Sequence, residues 1–378
     1  MNAPAFERPR TLIAAVLVAA VVVGGLVEAL RWGTDLSDLL LGGRRFVAGQ
    51  PLYLGSSASD GFIGPPFQAS FMAPFALIDR ASPVGAHVAW FVLVAAGLLI
   101  GVGSWAAALG KSAASGLVIL AVLAIAFPLY REIQEQNLTC VFLGLFGLAA
   151  LALVRNRDAQ AGAWLGIATA LKLFPGLALV YLLLRGRVRA AVAGGAVALS
   201  LTLLPVVRYG LAGYIDLWRE WFHTRTTGAW VVEWINQSLV TRIAQAAGPV
   251  SAAAALIAVV ALVAGALALA WRRRRMSALT VPDELALTLG VSVIASPIAW
   301  FTYWVLVFPL FLLAAREAVA GRRSALAVFS TGAILISVVG TLRRVNPGYE
   351  FLAAGLLMVI AVAVWLWPVP AGAEENAS

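Results

Sequence analysis

Long apolar stretches separated by short polar segments recur along the whole 378-residue chain. Many reach about 18 residues, the length that an α-helix needs to cross a hydrocarbon core about 30 Å thick. Lipid permits only helices and closed barrels to span it, and these stretches lack the period-two alternation of barrel strands. The pattern predicts an all-α polytopic membrane protein with spans at 11–30, 84–109, 113–130, 138–154, 188–207, 250–271, 284–300, 302–315, 324–341 and 351–368.

One further apolar segment, residues 161–183, carries Lys172 and Pro175 near its middle. Proline removes a backbone donor and clashes with the preceding turn, so a helix is expected to break there. Arginines flank both ends of the segment, at 155–157 and 185–189, and positive charge in short loops marks the cytoplasmic side. A single crossing would place one of these clusters outside. The sequence therefore predicts a re-entrant hairpin, bent near "KLFP", whose two ends lie on the same side.

With this hairpin, the charges sort into two groups. The inner loops carry about eight more basic than acidic residues, and the outer segments are balanced. This asymmetry predicts a plasma-membrane protein with both termini in the cytoplasm. The run 11–30 is expected to be a retained signal anchor, because it is longer than a cleaved signal and many spans follow. Residues 1–368 are expected to form one integral-membrane domain, and residues 369–378 a disordered cytoplasmic tail.

Two outer segments are long, 31–83 and 208–249, and both are rich in aromatic residues and carry charges of both signs. In the first, "LSDLLLGGRRFV" has apolar residues at helical spacing, which is typical of a helix lying in the membrane interface. The prolines of "GPPF" and "MAPF" are expected to interrupt any helix there and to form a pocket wall or a half-buried loop. The tryptophans of the second segment suit the headgroup level.

Composition narrows the function. Hydrophobic residues make up 62% of the chain, charged residues 12%, and the mean hydropathy is +0.92, which excludes an ordinary soluble domain. A net charge of +9 is typical of nucleic-acid-binding proteins, but here the arginines lie between spans and no nucleic-acid-binding motif accompanies them. The lone Cys140 permits neither an intrachain disulfide nor a cysteine-based metal site, and two histidines are too few for a histidine-rich metal centre.

Carboxylates open the first outer segment. Thr34 and Asp35 are both good helix-capping residues, so capping is one interpretation of Asp35. The other is a general base at the membrane surface, where partial desolvation raises the pKa of a carboxylate. The two roles are compatible. Asp38, one turn further on, is the rival carboxylate.

Basic residues on the same side also have two interpretations. Arg44 and Arg45 suit snorkelling residues that flank an interfacial helix, and they equally suit binding of a lipid phosphate. Lys172 either reaches a lipid phosphate or snorkels to the cytoplasmic interface. The amides of "REIQEQN" (131–137) and "INQSLVTR" (235–242) suit sugar hydroxyls or helix caps. "SPIAWFTYW" (296–304) predicts a tight, irregular turn at membrane depth, which argues for a cavity.

The order of these motifs resembles glycosyltransferase family 87. The motifs are an Asp-Leu pair after the first span, "GQPLY", "PPFQASFMAPFALI", "QEQN", "GAWLGIATALKLFPGLALVYLLLRGR", "NQSLVTR" and "SPIAW". That family belongs to the GT-C class of integral-membrane enzymes and includes polyprenol-phosphate-mannose-dependent mannosyltransferases of actinobacteria. The resemblance covers nearly the whole chain. It implies a GT-C-type bundle of about 10–11 transmembrane helices, with a re-entrant segment and interfacial helices on the outer face.

The resemblance also implies a mechanism. Such enzymes carry the catalytic acid in the first outer loop, which here is Asp35, and it would act as the base of an inverting displacement. Basic residues such as Arg45 or Lys172 would stabilise the departing lipid phosphate. No metal ligand and no cofactor is expected beyond the lipid-linked donor as co-substrate. The candidate substrate- or lipid-phosphate-binding residues are Arg44, Arg45, Tyr53, Gln136, Asn137, Lys172, Asn236, Ser238 and Arg242.

This chain departs from the family pattern at two places. Glu135 occupies the first glycine of the usual "GQ.N". The family often has a histidine shortly after the "SP..W" turn, where this chain has Thr302 and Tyr303. Both changes leave the expected fold intact, and both bear on the acceptor and on proton or phosphate handling.

Several alternatives remain at this point. The expected donor is polyprenyl-phosphate-mannose, and polyprenyl-phosphate-arabinofuranose is the second candidate. The acceptor is a phosphatidylinositol mannoside, a lipoglycan or another outer-leaflet glycan. A multi-span transporter would also have broken helices, but it usually shows inverted repeats and short loops. A non-catalytic assembly factor of envelope biogenesis would tolerate replacement of Asp35.

Overall fold

The computed structural model describes residues 23–53, 61–109, 115–227, 236–247, 251–275, 280–296, 298–342 and 350–367. Throughout these ranges the regular secondary structure is helical, with no strand. The expected tail, 369–378, and the first half of the expected span 11–30 lie outside them. The helical content follows from the apolar runs, since only a helix satisfies all backbone hydrogen bonds within one segment in lipid.

Eighteen α-helices follow one another along the described part of the chain, with one 3₁₀ and one π segment among them. They are α1 (23–31), α2 (Thr34–Ala48), α3 (Pro66–Ala81), α4 (Pro83–Ala108), α5 (Ser115–Ala124), α6 (Ala126–Glu135), α7 (Thr139–Val154), α8 (Asp158–Leu171), α9 (Gly176–Leu184), α10 (Val188–Thr202), α11 (Val206–Thr227), α12 (Leu239–Ala247), α13 (Ser251–Arg272), α14 (Val281–Ala295), a 3₁₀ helix (Phe301–Val307), α15 (Phe308–Val319), α16 (Arg323–Ala333), a π-helix (Ile334–Val339), α17 (Gly340–Leu342) and α18 (Glu350–Leu366).

Each of the ten predicted spans coincides with one or more of these apolar helices. Within the described ranges, three continuous helical segments are long and apolar enough to cross a membrane, Pro83–Ala108, Phe301–Val319 and Arg323–Leu342. Two more candidates are bent pairs, α5 with α6 at 66° and α10 with α11 at 96°. The remaining runs form shorter apolar helices or, for 11–30, are described only in part. The chain is therefore an all-α, multi-pass membrane protein.

The predicted break at "KLFP" is confirmed. Lys172 ends α8 with extended backbone (φ −153°, ψ 144°), and α9 begins only after Pro175. The chain then returns to its starting point, because Arg187 Nη1 lies 3.0 Å from Asp158 Oδ1 and 3.4 Å from Asn156 Oδ1. Both ends of the segment thus lie together, as a re-entrant hairpin requires.

Other arginine clusters converge on that same end of the bundle. Arg185 Nε lies 2.7 Å from Glu284 Oε2, and its guanidinium also donates to the carbonyl of Arg273. The neighbouring Asp283 accepts two hydrogen bonds from Arg316, at 3.0 and 3.2 Å. We call this region the arginine end.

The two long segments predicted to be outer, 31–83 and 208–249, pack together in their described parts at the opposite end, around the tip of the hairpin. Gly33 N–H donates to Gln134 O (2.9 Å), and the Trp221 indole donates to Ile63 O (3.2 Å). Arg208 donates to the carbonyls of Phe46 and Val47 at the end of α2 (3.3 and 3.0 Å). Pieces that are far apart in the chain thereby form one polar cap on the bundle, which is called the cavity end here.

Helix α2 forms where an interfacial helix was predicted, and its position relative to the membrane stays a prediction. The predicted interruption at "GPPF" agrees with a helix that begins only at Pro66, but the interruption predicted at "MAPF" is wrong. Residues Pro66–Ala81 form one helix that contains Pro74. Pro66 opens the helix, where no backbone donor is needed, and the loss at Pro74 is offset by packing against α2. That packing is close, since a Cβ at Gly43 would lie only 2.7 Å from the carbonyl oxygen of Met72.

Close helix contacts also depend on glycine pairs four residues apart. On α4, "GLLIG" (97–101) lies against α7, where a Cβ at Gly97 would lie 2.7 Å from the carbonyl of Cys140. On α8, "GAWLG" (162–166) lies against α10, where a Cβ at Gly166 would lie 2.4 Å from the carbonyl of Gly194. Such small-residue faces are how helices approach each other in lipid. They fix α8, and with it the hairpin tip.

Candidate active site

A cavity of about 720 Å³ opens at the cavity end, between α2, the stretch 61–65, the hairpin tip and the helices α11, α13 and α14. Its volume lies within the range of small-molecule sites, roughly 300–1,000 Å³. Its polar lining residues, called the polar part here, are Asp35, Asp38, Gln68, Asn137 and Lys172. Its apolar lining residues, called the apolar part, include Leu177, Val180, Trp221, Phe222, Val259 and Val263. The site therefore offers both charged groups and hydrocarbon contact to a ligand.

Asp35 lies in the first turn of α2. The N-cap of this helix is Gly33, whose backbone is left-handed (φ 43°, ψ 33°). No side chain forms a capping hydrogen bond at this end of the helix. The capping interpretation of Asp35 is therefore wrong. Its half-buried carboxylate instead lines the cavity and accepts a hydrogen bond from Asn137 Nδ2 at 2.5 Å. Thr34 is also no cap, since its hydroxyl donates to Glu135.

The surroundings of Asp35 shift its pKa. Helix α2 is not among the span-length helices, and it lies on the polar cap of the bundle. Desolvation by burial is the largest cause that raises the pKa of Asp35 to about 7, and the negative charge of Glu135 acts in the same direction. The hydrogen bond from Asn137 and the positive charge of Lys172 act against the rise. A carboxylate with this pKa can both hold and release a proton near neutral pH.

Asn137 is held in one orientation. Helix α6 ends at Gln136, which adopts left-handed backbone (φ 57°) and turns the next residue towards α2. The Asn137 Oδ1 atom accepts from Leu138 N–H (2.6 Å), which leaves its amide NH₂ to donate to Asp35. The side chain of Gln136 points elsewhere, with Nε2 3.4 Å from His87 O, and it does not line the cavity.

Lys172 reaches the cavity because the helix breaks there. Its half-buried side chain lines the polar part, and its Nζ atom lies 4.2 Å from the centre of the Tyr303 ring. Helix α8 is about 20 Å long at 1.5 Å per residue, so Lys172 is that far from the arginine end. Of its two interpretations, the structure excludes snorkelling towards the arginine end.

The other basic candidates of the first outer segment do not line the cavity. Arg44 forms an ion pair with Asp79 at 2.8 Å on the outside of α3. Arg45 is buried and donates to Leu52 O at 2.8 Å. Tyr53 donates its hydroxyl to Gly64 O at 2.7 Å, and Gly64 in turn lines the cavity. These side chains shape the loop behind the cavity wall.

The "NQSL" residues (236–239) stabilise the part of the cavity wall formed by Ile298 and Trp300. Asn236 Oδ1 accepts from the backbone N–H groups of Ala299 (3.0 Å) and Ser238 (3.1 Å). Ser238 Oγ accepts from Thr241 N–H and so caps α12. Arg242 donates to Gln245 Oε1 at 2.9 Å. None of Asn236, Ser238 and Arg242 lines the cavity, but Ile298 and Trp300, on either side of Ala299, do.

The structure adds Gln68 and Tyr303, which the motifs did not assign as site residues: Gln68 lines the polar part, and Tyr303 lies beside Lys172. Asp38, the rival carboxylate, also lines the polar part, because residues three apart share a helix face. Within the described ranges, no group of three or more His, Cys, Asp or Glu side chains could hold a metal ion. The expectation that the reaction uses no metal and no cofactor stays a prediction.

Comparisons with known proteins identify the family of this chain. The model of glycosyltransferase family 87 matches residues 62–297. A curated relative from Mycobacterium tuberculosis (strain ATCC 25618 / H37Rv) is described as a polyprenol-phosphate-mannose-dependent alpha-(1-2)-phosphatidylinositol mannoside mannosyltransferase. It is 27% identical over 350 residues, which cover 85% of this chain and 80% of that protein. The family match spans more than half of the chain and excludes the transporter alternative. This chain belongs to glycosyltransferase family 87 and is a membrane glycosyltransferase.

Proposed function

We propose that this enzyme transfers mannose from a polyprenyl-phosphate donor to an outer-leaflet lipid or glycan acceptor, by inverting displacement with Asp35 as general base. The observation that carries the proposal is the arrangement of Asp35, Asn137 and Lys172 around one cavity that also has an apolar part. A base and a cation facing the same space are the two charges that this reaction needs.

The proposed step balances as follows. The Asp35 carboxylate takes the proton of an acceptor hydroxyl, whose oxygen forms a bond to the anomeric carbon. The bond between that carbon and the phosphate oxygen breaks, and its electron pair leaves with the polyprenyl phosphate. The Lys172 ammonium stabilises the negative charge that develops on this phosphate. Asp35 then releases the proton to solvent, which is favourable for a carboxyl with a pKa of about 7.

The donor follows from the apolar part of the cavity. The apolar side chains of α9, α11 and α13 suit contact with the prenyl chain of the donor, and a long prenyl chain enters the cavity from the lipid bilayer. The relative's name specifies polyprenol-phosphate-mannose, which supports mannose over arabinofuranose here. The same relative supports a phosphatidylinositol mannoside as acceptor. No cofactor and no metal is proposed beside the lipid-linked donor.

The orientation follows from charge. The arginine end carries the basic loops, so we assign it to the cytoplasm, with both termini there. The cavity end then faces the outer leaflet of the plasma membrane, where lipid-linked donor and acceptor meet. Residues 1–368 form a single catalytic domain in this proposal.

The test uses two matched carboxylate variants. Membranes containing Asp35→Asn should lose nearly all sugar transfer from radiolabelled polyprenyl-phosphate-mannose, by about 10²–10⁴-fold, because the base is gone. Asp38→Asn removes a carboxylate from the same cavity one turn away and should lose far less. Polyprenyl-phosphate-arabinofuranose, offered in parallel, tests the donor.

Three outcomes would contradict the proposal. Normal turnover by Asp35→Asn would remove the base assignment, and loss of activity only in Asp38→Asn would move it to the rival carboxylate. Transfer of arabinofuranose in preference to mannose would change the donor and leave the mechanism standing. Equal amounts of both variants in the membrane serve as the control for folding.

A further inference from the structure

Tyr303 forms one wall of the polar part of the cavity. It lies on the 3₁₀ helix Phe301–Val307, its side chain is 3% exposed, and its ring lines the cavity. The Lys172 ammonium lies 4.2 Å from the ring centre, within the range in which an aromatic face attracts a cation. The two residues are 131 positions apart, and only the fold brings them together.

Aromatic packing fixes this ring. Tyr303 packs on Phe174 at 5.8 Å between ring centres, and Phe174 packs on Phe142 at 5.6 Å. Phe142 is a fully buried residue of α7, so the series is anchored in the core of the bundle. Such offset and edge-to-face contacts are the favoured arrangements of aromatic side chains. The ring therefore has little freedom to move away from Lys172.

A lysine at this place needs such a support. Its ammonium ends a flexible four-carbon stem and has no preferred direction of its own. Lys172 lies at the end of α8 with extended backbone, so its side chain leaves the helix there and reaches the cavity. Catalytic charge is effective when it is held in place before the reaction, because no energy is then lost in reorganisation.

We infer that Tyr303 is a positioning residue: the face of its ring, not its hydroxyl, holds the Lys172 ammonium where the phosphate of the lipid donor binds. This inference rests on the proposed role of Lys172. Tyr303 lies in the stretch, with Thr302, where the resemblance to the family leads one to expect a histidine. This inference predicts that an aromatic ring at 303 is sufficient and that a proton-donating group there is not required.

The experiment measures inhibition of sugar transfer by free polyprenyl phosphate, the released product, which carries the phosphate without the sugar. Tyr303→Leu should raise its inhibition constant about five- to thirty-fold, the range expected for loss of a cation–π contact. Tyr303→Phe keeps the ring face and should stay within about twofold of the original enzyme. Lys172→Met should raise the constant at least as much as Tyr303→Leu.

A double variant separates positioning from general damage. In the Lys172→Met background, Tyr303→Leu should add almost nothing, because the two residues act through one contact. Phe311→Leu removes a buried ring from α15, away from the cavity, and should leave the inhibition constant unchanged. Its melting temperature calibrates how much the loss of a core ring disturbs the fold.

If Tyr303→Leu fails to fold, fluorinated phenylalanines at position 303 keep the shape of the ring and withdraw electron density from its face. The inhibition constant should rise with each added fluorine, and a flat series would overturn the inference. An unchanged constant in Tyr303→Leu, or an equal rise with and without Lys172, would overturn it as well. An unchanged constant in Lys172→Met would instead overturn the proposed role of Lys172 itself.

Discussion

The acid–base properties of this site arise from individual residues around Asp35. Burial raises the pKa of Asp35 to about 7, and Glu135 contributes to the rise. Glu135 thus places a negative charge beside this carboxyl, and it also forms an ion pair with Arg131. The pKa of Asp35 is therefore adjustable by single substitutions that leave its carboxylate in place.

The pH profile of sugar transfer should report this pKa. A general base acts only when ionised, so kcat/KM should fall as the pH drops below about 7. Glu135→Gln removes a negative charge and should move this acid limb to lower pH. Asn137→Ala removes a hydrogen bond that favours the ionised form and should move it to higher pH.

The relative sizes of these shifts of the acid limb provide the control. Asp38 has the smallest influence on the pKa of Asp35 among the neighbouring groups, so Asp38→Asn should move the limb in the same direction as Glu135→Gln but less. Identical shifts in all three variants, or a rise in Glu135→Gln, would contradict the assignment of the acid limb to Asp35.

Among the elements, the re-entrant hairpin α8–α9 determines where the chemistry can occur. Its break places Lys172 in the cavity, and its glycine face against α10 holds α8 in position. The hairpin also returns the chain to the arginine end, where Arg187 meets Asp158. One broken apolar segment therefore supplies both a cavity residue and the sidedness of the loops around it.

Cysteine labelling should show that both ends of the hairpin face the cytoplasm. The only native cysteine, Cys140, is buried, and Cys140→Ala provides the background. Gln160→Cys and Arg189→Cys, both at exposed positions, should react with an impermeant maleimide in inside-out vesicles and not in intact cells. Glu220→Cys, on the second outer segment, should show the opposite behaviour. Reaction of positions 160 and 189 from different sides would refute the hairpin.

For the molecule as a whole, the two ends of the bundle have different tasks. The arginine end contains buried ion pairs, of which Arg185 with Glu284 has both side chains only 2% exposed. Tyr181 adds a hydrogen bond to Glu284 at 2.9 Å. The cavity end instead leaves carboxylates lining an open space. Charged side chains are thus paired and buried at the arginine end, whereas at the cavity end they face an open space, where the proposed reaction would use them.

Removing one partner of the buried pair should weaken the fold much more than removing one partner of an exposed pair. Glu284→Gln leaves the Arg185 charge buried without its counter-ion and should lower the free energy of unfolding by about 3–5 kcal/mol. Asp216→Asn breaks the exposed pair with Arg219, whose side chains are 62% and 76% exposed, and should cost about 1 kcal/mol or less. Thermal unfolding of the purified protein in detergent measures both.

A comparable loss in the two variants would show that the Arg185–Glu284 pair is not desolvated as the structure has it. The double variant Arg185→Met/Glu284→Leu removes both charges and should recover much of the stability lost in Glu284→Gln, because no unpaired charge remains.

The sequence by itself determined the fold class, the ten apolar runs, the break at "KLFP" and the grouping of the arginines. These properties follow from composition read along the chain, because lipid selects apolar helices and the membrane sides differ in charge. The glycine pairs "GLLIG" and "GAWLG" have the spacing of close-contact faces, but only the structure shows that they are such faces. The sequence did not predict the continuity of α3 across Pro74, since packing against α2 outweighs a local propensity.

Only the tertiary structure decided which polar residues share the cavity. Asp35 meets Asn137 across 102 positions, and Lys172 meets Tyr303 from a separate element. In the sequence, Arg45 and Asn236 looked equally suited to substrate binding. In the structure, each forms a hydrogen bond with a backbone group of another segment instead. The direction of a side chain depends on partners that lie far away in the chain, and local pattern carries no information about them.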